Sequence, residues 1–287
     1  MVNYIKIEDF KEIMPKRAQN SNKGTFGKVL NIAGSGNYIG AAVLSSITPL
    51  KTGAGLVTLA CPESLVPIIA SKLSEITFLA LEETENHTIS KVSAELIKAI
   101  EEYSVISLGC GLNKSEETKK SVKAMLQTKT AAKWVIDADG LNIISEENIS
   151  ELPKNAILTP HPMEMARLLK RPLEEINKNR EESAVECSKK FSVSVLLKGQ
   201  NTIVTDGENV YINQTGSSAL AKAGSGDVLT GIISGLMAQG LSPFEAGIKG
   251  CYIHGLTGEL AAKDLSESSV LASDLINYLP KVILNLC

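Results

Sequence analysis

The chain has 287 residues, and 29 Lys and Arg face 32 Asp and Glu, for a formal net charge of −3. Such a balance offers no strongly basic face, which argues against nucleic acid as a partner. With 44 % hydrophobic and only 4 % aromatic residues, the composition is that of a globular protein with an aliphatic core, and no apolar run reaches the ~20 residues of a membrane-spanning helix.

In chain order, strand and helix patterns alternate. Residues 28–33 read as a short apolar strand running into Gly34-Ser35-Gly36, and residues 39–50 as a helix rich in small side chains. A second buried strand is expected over 56–60 and a helix over 62–73. Residues 92–100 are amphipathic. The strand at 105–108 ends in Gly109-Cys110-Gly111, the helix at 116–126 follows, and the strand at 134–136 runs into Asp137-Ala138-Asp139-Gly140. A short strand at 156–158 precedes Thr159-Pro160-His161-Pro162. One charged helix is expected over 174–190. Strands at 193–197, 202–205 and 209–212 follow, with Asp206-Gly207 as a hairpin turn. Helices over 228–239, 243–263 and 273–284 close the chain.

This alternation predicts a mostly parallel α/β sheet covered by helices on both faces, as one domain over 1–287. No repeat or long linker divides it, and residues 82–87 form the most polar loop. Five scattered cysteines, Cys61, Cys110, Cys187, Cys251 and Cys287, contain no C-x-x-C pair. That pattern argues for reduced thiols in the cytoplasm and against a zinc site. The charged and apolar mixture of residues 1–10 does not read as a signal peptide.

Polar and glycine-rich segments recur just after the strands, where open α/β sheets bind ligands. The most informative is Gly224-Ser225-Gly226-Asp227, followed by a long apolar helix pattern. Glycines let backbone approach a phosphate, and a helix start aims N–H groups at it. A carboxylate beside that anion hole can take a proton from an attacking hydroxyl. The same letters also fit a plain turn in which Asp227 caps the helix. Lys198 and Gly199, after the strand at 193–197, offer a cation for phosphate at a sharp turn, or an ordinary hairpin. His161 is held between two prolines at a strand end, which favours a ligand contact. Asp137 and Asp139 are candidate ligands through water for magnesium, although Asp139 also suits a helix cap. His87 reads as solvated, His254 as packed, and Met163 and Met165 as core.

Together these segments identify the chain as resembling the ADP/ATP-dependent NAD(P)H-hydrate dehydratases of the ribokinase-like superfamily. The resemblance rests on Ala33-Gly34-Ser35 with Tyr38-Ile39-Gly40-Ala41-Ala42, on Thr159-Pro160-His161-Pro162-Met163-Glu164, on Leu197-Lys198-Gly199, on Ala223 to Gly231, on Ala238-Gln239-Gly240 and on Tyr252-Ile253-His254-Gly255. It implies a ribokinase-like three-layer sandwich. It also implies dehydration of the S form of NAD(P)H hydrate to NAD(P)H with ADP, or less readily ATP, as phosphoryl donor and Mg2+ as counter-ion. Asp227 would be the base, and Gly224, Ser225 and Gly226 the anion hole. Lys198, Gly199, Gln200, Asn201, Thr202 and Gly226 would contact the nucleotide; Ala42, Gly111, His161 and Asp227 would contact the hydrate. The matching residues begin near Lys23, which implies a stand-alone form served by a separate epimerase, and the family suggests a homotetramer. Two departures stand out: Gly109-Cys110-Gly111 where relatives often have Gly-Pro-Gly, and Gly216 to Lys222 where many carry Gly-Asn-Pro-Gly-Met-Ala-Thr. A small-metabolite kinase of the hydroxymethylpyrimidine or hydroxyethylthiazole type shares the Gly224–Asp227 segment and is the competing expectation.

Overall fold

Short aliphatic runs with both faces buried can form only the inner strands of a sheet covered on two sides. Val105–Leu108 and Ser194–Leu197 are of this kind. The computed structural model describes residues 2–5 and 14–286. Its strands are β1 (Val2–Tyr4), β2 (Lys28–Ile32), β3 (Leu56–Pro62), β4 (Thr77–Leu81), β5 (Val105–Leu108), β6 (Lys133–Ile136), β7 (Ala156–Leu158), β8 (Ser194–Leu197), β9 (Thr202–Thr205) and β10 (Val210–Asn213). They form one sheet in the order β1-β10-β9-β8-β7-β6-β5-β2-β3-β4. Only β9 runs antiparallel to its neighbours, pairing Val195 with Thr205 on one side and Tyr211 with Val204 on the other.

Two apolar clusters flank the sheet. On one face, α1 (Ile39–Thr52), α9 (Ser225–Ala238), α10 (Pro243–Leu265) and α11 (Ala272–Leu286) pack over Val29, Val57, Val135 and Leu196. On the other, α3 (Ala94–Glu102), α4 (Glu116–Leu126), α5 (Ala138–Glu146), α6 (Pro162–Leu169) and α8 (Arg180–Phe191) cover Leu30, Ile106, Trp134 and Leu158. The result is the expected three-layer sandwich. Helix α9 lies unusually close to α1. A Cβ at Gly231 would sit 2.5 Å from that of Thr48, and one at Gly235 2.7 Å from that of Thr52.

Several elements differ from the sequence reading. The helix expected over 62–73 is a 3-10 turn (Glu63–Leu65) and the short α2 (Val66–Ala70), with Pro67 in the first turn of α2. The charged helix expected over 174–190 breaks at Asn179 (φ −125°, ψ 54°) into α7 (Leu173–Lys178) and α8. Strand β4 was not expected, since its edge position leaves much of Thr77–Leu81 exposed and its pattern weak. Helix α6 was not expected either: Pro162 starts it at the first helical position, where proline costs no hydrogen bond. Met165 is buried, but Met163 is 41 % exposed on the first turn of α6, so core packing does not explain it. Cys61, Cys110, Cys187 and Cys251 are free and buried. Cys287 and most of residues 1–10 lie outside the described residues.

Candidate active site

The carboxyl ends of β6, β7 and β8 and the start of α9 meet at a cavity of about 840 Å³. Helix α9 begins at Ser225, with Gly224 as its N-cap in the left-handed region (φ 88°). A Cβ there would lie 2.6 Å from Leu44 Cδ1, so glycine is required twice over, by conformation and by space. Asp227 is therefore the third helical residue and not the cap. The first intrahelical bond runs from Val228 N–H to Gly224 O, while Ser225 N–H donates to Lys222 O. Gly226 and Asp227 thus present the helix-start amides that face the cavity. Gly226 is also the point above which Lys198 lies: a Cβ would come within 3.5 Å of its Nζ.

Behind this helix start is a charged cluster centred on Asp137. Its carboxylate is 2 % exposed and is fully partnered: Oδ1 accepts from Ala138 N–H (2.8 Å) and Lys198 Nζ (2.7 Å), and Oδ2 from Thr230 Oγ1 (2.8 Å). Asp137, not Asp139, caps α5. The Oδ2 of Asp139 instead accepts from Asn113 N–H (2.8 Å) and ties the turn after β5 to α5. Lys198 Nζ also lies 3.8 Å from Glu164 Oε2. Burial alone would lower this ammonium's pKa; the Asp137 and Glu164 carboxylates outweigh it and hold the pKa above the ordinary value. The Lys198–Gly199 turn needs Gly199 at φ 134°. Arg180 of α8 clamps it by donating to the carbonyls of Leu197 (3.4 Å) and Lys198 (3.3 Å).

His161 caps α6 through its ring. Its Nδ1 accepts N–H bonds from Met163 (3.1 Å) and Glu164 (3.2 Å), and Glu164 Oε2 accepts from His161 N–H (2.7 Å). An accepting Nδ1 leaves the proton on Nε2, which lies 3.3 Å from Glu164 Oε1, so the half-exposed ring is held by Glu164 on the cavity wall. Burial, then Lys198, holds its pKa below the ordinary value. Burial pushes Glu164 up to about 7. His254 of α10 is buried with Nε2 3.2 Å from Ser225 Oγ, and burial lowers it to about 4, so it is neutral near pH 7.

Asp227 is the group with the chemistry of a base. Burial raises its carboxyl to about 6, Asp137 adds to the rise, and a hydrogen bond from the Cys110 thiol opposes it. A carboxylate with that value is ionised near neutral pH yet basic enough to receive a proton. Beside it stand a helix start and a lysine, both suited to anions. The site can therefore bind a polyphosphate and deprotonate a hydroxyl next to it.

The cavity brings together His161, Lys198, Gly199, Gln200, Asn201, Thr202, Gly224, Ser225, Gly226 and Asp227. It does not include Ala42, which is fully buried beneath Gly34, or Gly111, which packs on Tyr38 after β5. Glu164, Arg180, Thr230 and Cys110 carry site geometry that the sequence reading assigned to no role. Glu164 could have been found, because its place three residues after His161 is the spacing of a reciprocal cap. Arg180 gives no such signal, since it sits at the start of α8, 18 residues before Lys198.

A family model for NAD(P)H-hydrate dehydratase matches residues 29–281. The chain belongs to the NAD(P)H-hydrate dehydratase family. It is 32 % identical over 277 residues to the ADP-dependent (S)-NAD(P)H-hydrate dehydratase of Bacillus subtilis, covering 96 % of this chain and 95 % of that protein. It is 39 % identical over 278 residues to a bifunctional NAD(P)H-hydrate repair enzyme of Moorella thermoacetica, covering 95 % of this chain but 52 % of that enzyme. The chain thus spans about half the length of the bifunctional relatives it matches. Among solved structures, an ADP/ATP-dependent NAD(P)H-hydrate dehydratase from Bacillus subtilis, co-crystallised with ATP and Mg2+, superimposes with a TM-score of 0.85 at 29 % identity, over 100 % of this chain and 99 % of that one. In this dehydratase-family chain no group of three His, Cys, Asp or Glu side chains that could hold a metal occurs among the described residues. Both Asp137 oxygens already have donors.

Proposed function

We propose that this chain dehydrates the S form of NAD(P)H hydrate to NAD(P)H at the expense of ADP, releasing AMP and phosphate. The observation that carries this reading is Asp227, a base with its carboxyl near 6, set on the first turn of α9 at the mouth of a polyphosphate-sized cavity. The nucleotide lies along Lys198–Thr202, with its terminal phosphate against the amides of Gly226 and Asp227. Asp227 takes the proton of the C6 hydroxyl, and that oxygen attacks the terminal phosphorus as the bond to AMP breaks. Hydroxide is a poor leaving group; phosphate is a good one. The C6–O bond then breaks with the push of the ring-nitrogen lone pair, and loss of a C5 proton restores the C5–C6 double bond. The helix-start amides and Lys198 favour the transferred phosphoryl group because their dipoles and charge are already oriented. His161, on the cavity wall, would contact the hydrate. Mg2+ would travel on the nucleotide's phosphates and neutralise their charge, since no group of three His, Cys, Asp or Glu side chains that could hold it occurs among the described residues.

The family likeness supports two further parts of this reading, a homotetramer and a separate epimerase that supplies the S isomer. Four buried free thiols fit the reducing cytoplasm. The test mixes protein, Mg2+, hydrated NADH and either ADP or ATP, and follows the near-ultraviolet absorbance of the reduced ring. Recovery with ADP, abolished in Asp227→Asn, is expected. A stable phosphorylated product with no recovered absorbance would refute the dehydratase reading.

A further inference from the structure

A second cavity, of about 360 Å³, opens on the same edge of the sheet, over the ends of β2, β4 and β5. It is lined by Gly36, Asn37, Glu85, His87, Asn113 and Ser115, among others. Its walls are fixed. Gly36 N–H donates to His87 O (3.0 Å), Thr88 Oγ1 meets Ser115 Oγ (2.9 Å), and Glu83 pairs across the loop with Ile89. The polar loop expected at 82–87 is thus tied down on both sides. A single turn links the two cavities: Cys110 contacts Asp227, Gly111 packs on the half-exposed Tyr38, and Asn113 lines the second cavity. Strand β6, which ends just before Asp137, lies two strand positions from β2 and four from β4. At ~4.8 Å per strand, that is ~10–19 Å. A dinucleotide whose reacting ring sits at Asp227 can therefore reach this cavity with its second nucleoside.

We propose that the second cavity holds the distal ribose of the dinucleotide hydrate and selects a free 2′-hydroxyl over a 2′-phosphate. This rests on the dehydratase reading above. The lining supplies a carboxylate and neutral amides and hydroxyls, Glu85, Asn37, Asn113 and Ser115, and no Lys or Arg. A carboxylate accepts from a ribose diol, the same chemistry by which dinucleotide folds recognise an unphosphorylated ribose. The neighbouring cations are engaged elsewhere: Lys114 Nζ pairs with Glu146, and Lys91 Nζ with Glu82 at 2.9 Å. The His87 ring turns its Nδ1 to Glu83 (3.1 Å) and Ser64 (3.1 Å). The start of α4 offers no free anion site, because Ser115 Oγ accepts from Thr118 N–H (3.2 Å) and Glu116 and Glu117 occupy its first turn. A 2′-phosphate here would face Glu85, and the lining itself offers it no Lys or Arg.

The test is equilibrium binding of NADH and NADPH to the full chain, with a non-hydrolysable ADP analogue saturating the first cavity. Wild type should bind NADH roughly tenfold more tightly, the effect of one unpaired charge contact. Glu85→Gln should shrink that ratio, and Glu85→Lys should invert it. Equal affinities, tighter NADPH binding, a ratio unmoved by Glu85→Gln, or binding of neither cofactor would overturn the proposal. Turnover of the two hydrates is measured alongside. Failure of both to react would refute the dehydratase reading while the binding ratio still decides the subsite.

Discussion

Replacing Asp227 by Asn should stabilise the protein while abolishing its chemistry. The fold raises this carboxyl from its ordinary 3.8 to about 6, mainly by burying it. The folded state therefore holds the proton more tightly than the unfolded chain does. Above pH 6 the fold must carry a carboxylate that would be better solvated when unfolded. At ~1.4 kcal/mol per pH unit, the gap from 3.8 to about 6 costs the native state at most ~3 kcal/mol at pH 7.5. The neutral amide in D227N escapes that cost. For a chain of this size the melting temperature should rise by about 3–8 °C at pH 7.5. The sign fixes the pH window: the gain should shrink as pH falls through 6 and be about 1 kcal/mol at pH 4.5. Thermal denaturation of both proteins at the two pH values, beside the absorbance-recovery assay, measures everything needed. An unchanged or lower melting temperature for D227N at pH 7.5, or a gain of equal size at pH 4.5, would refute the reasoning that burial of a working base strains this site.

Three further outcomes are expected. Asp137→Ala leaves Lys198 and Thr230 without their acceptor, and denaturant unfolding should report a loss of about 2–3 kcal/mol together with weakened nucleotide binding by calorimetry. Gly224→Ala forces a left-handed φ of 88° on a residue with a Cβ and pushes it into Leu44 and Ala272; it should cost about 1–3 kcal/mol and raise the nucleotide Kd several-fold. If Asp227 must be ionised to act, kcat/KM for the hydrate should rise with pH through about 6 and then level, because the ionised form is present only above that value. A profile that is flat between pH 5 and 7 would exclude Asp227 as the base.

The layers of this fold were legible because buried aliphatic strands and small-residue helices obey different periods. Val105–Leu108, Glu116–Leu126, Ala156–Leu158 and Thr202–Thr205 fall where the pattern places them. What escaped were elements whose signal lies outside themselves. Edge strand β4 lacks a continuous buried face, and α6 hides behind two prolines that also suit a rigid loop. The site divides the same way. Lys198 and Asp227 could be singled out from glycines beside a charged group, although a plain cap and an ordinary hairpin fitted the same letters. The acceptor that positions Lys198 could not be read: Asp137 is 61 residues away in sequence, at the turn from β6 into α5. Nor could the sequence say that Asp137 accepts from Ala138, Lys198 and Thr230 together.

Every group assigned to nucleotide or hydrate sits on the edge of the sheet where the parallel strands end. The returning connections, such as residues 147–155 between α5 and β7, run along the other edge, and most of them are exposed. The molecule is thereby divided into a working rim and a rim of plain wiring. A reporter module grafted into 147–155 would hang a whole sheet's depth from Asp227, the kind of place where inserted domains are tolerated. The architecture leaves this protein a handle for tethering or sensing that is out of reach of the proposed chemistry.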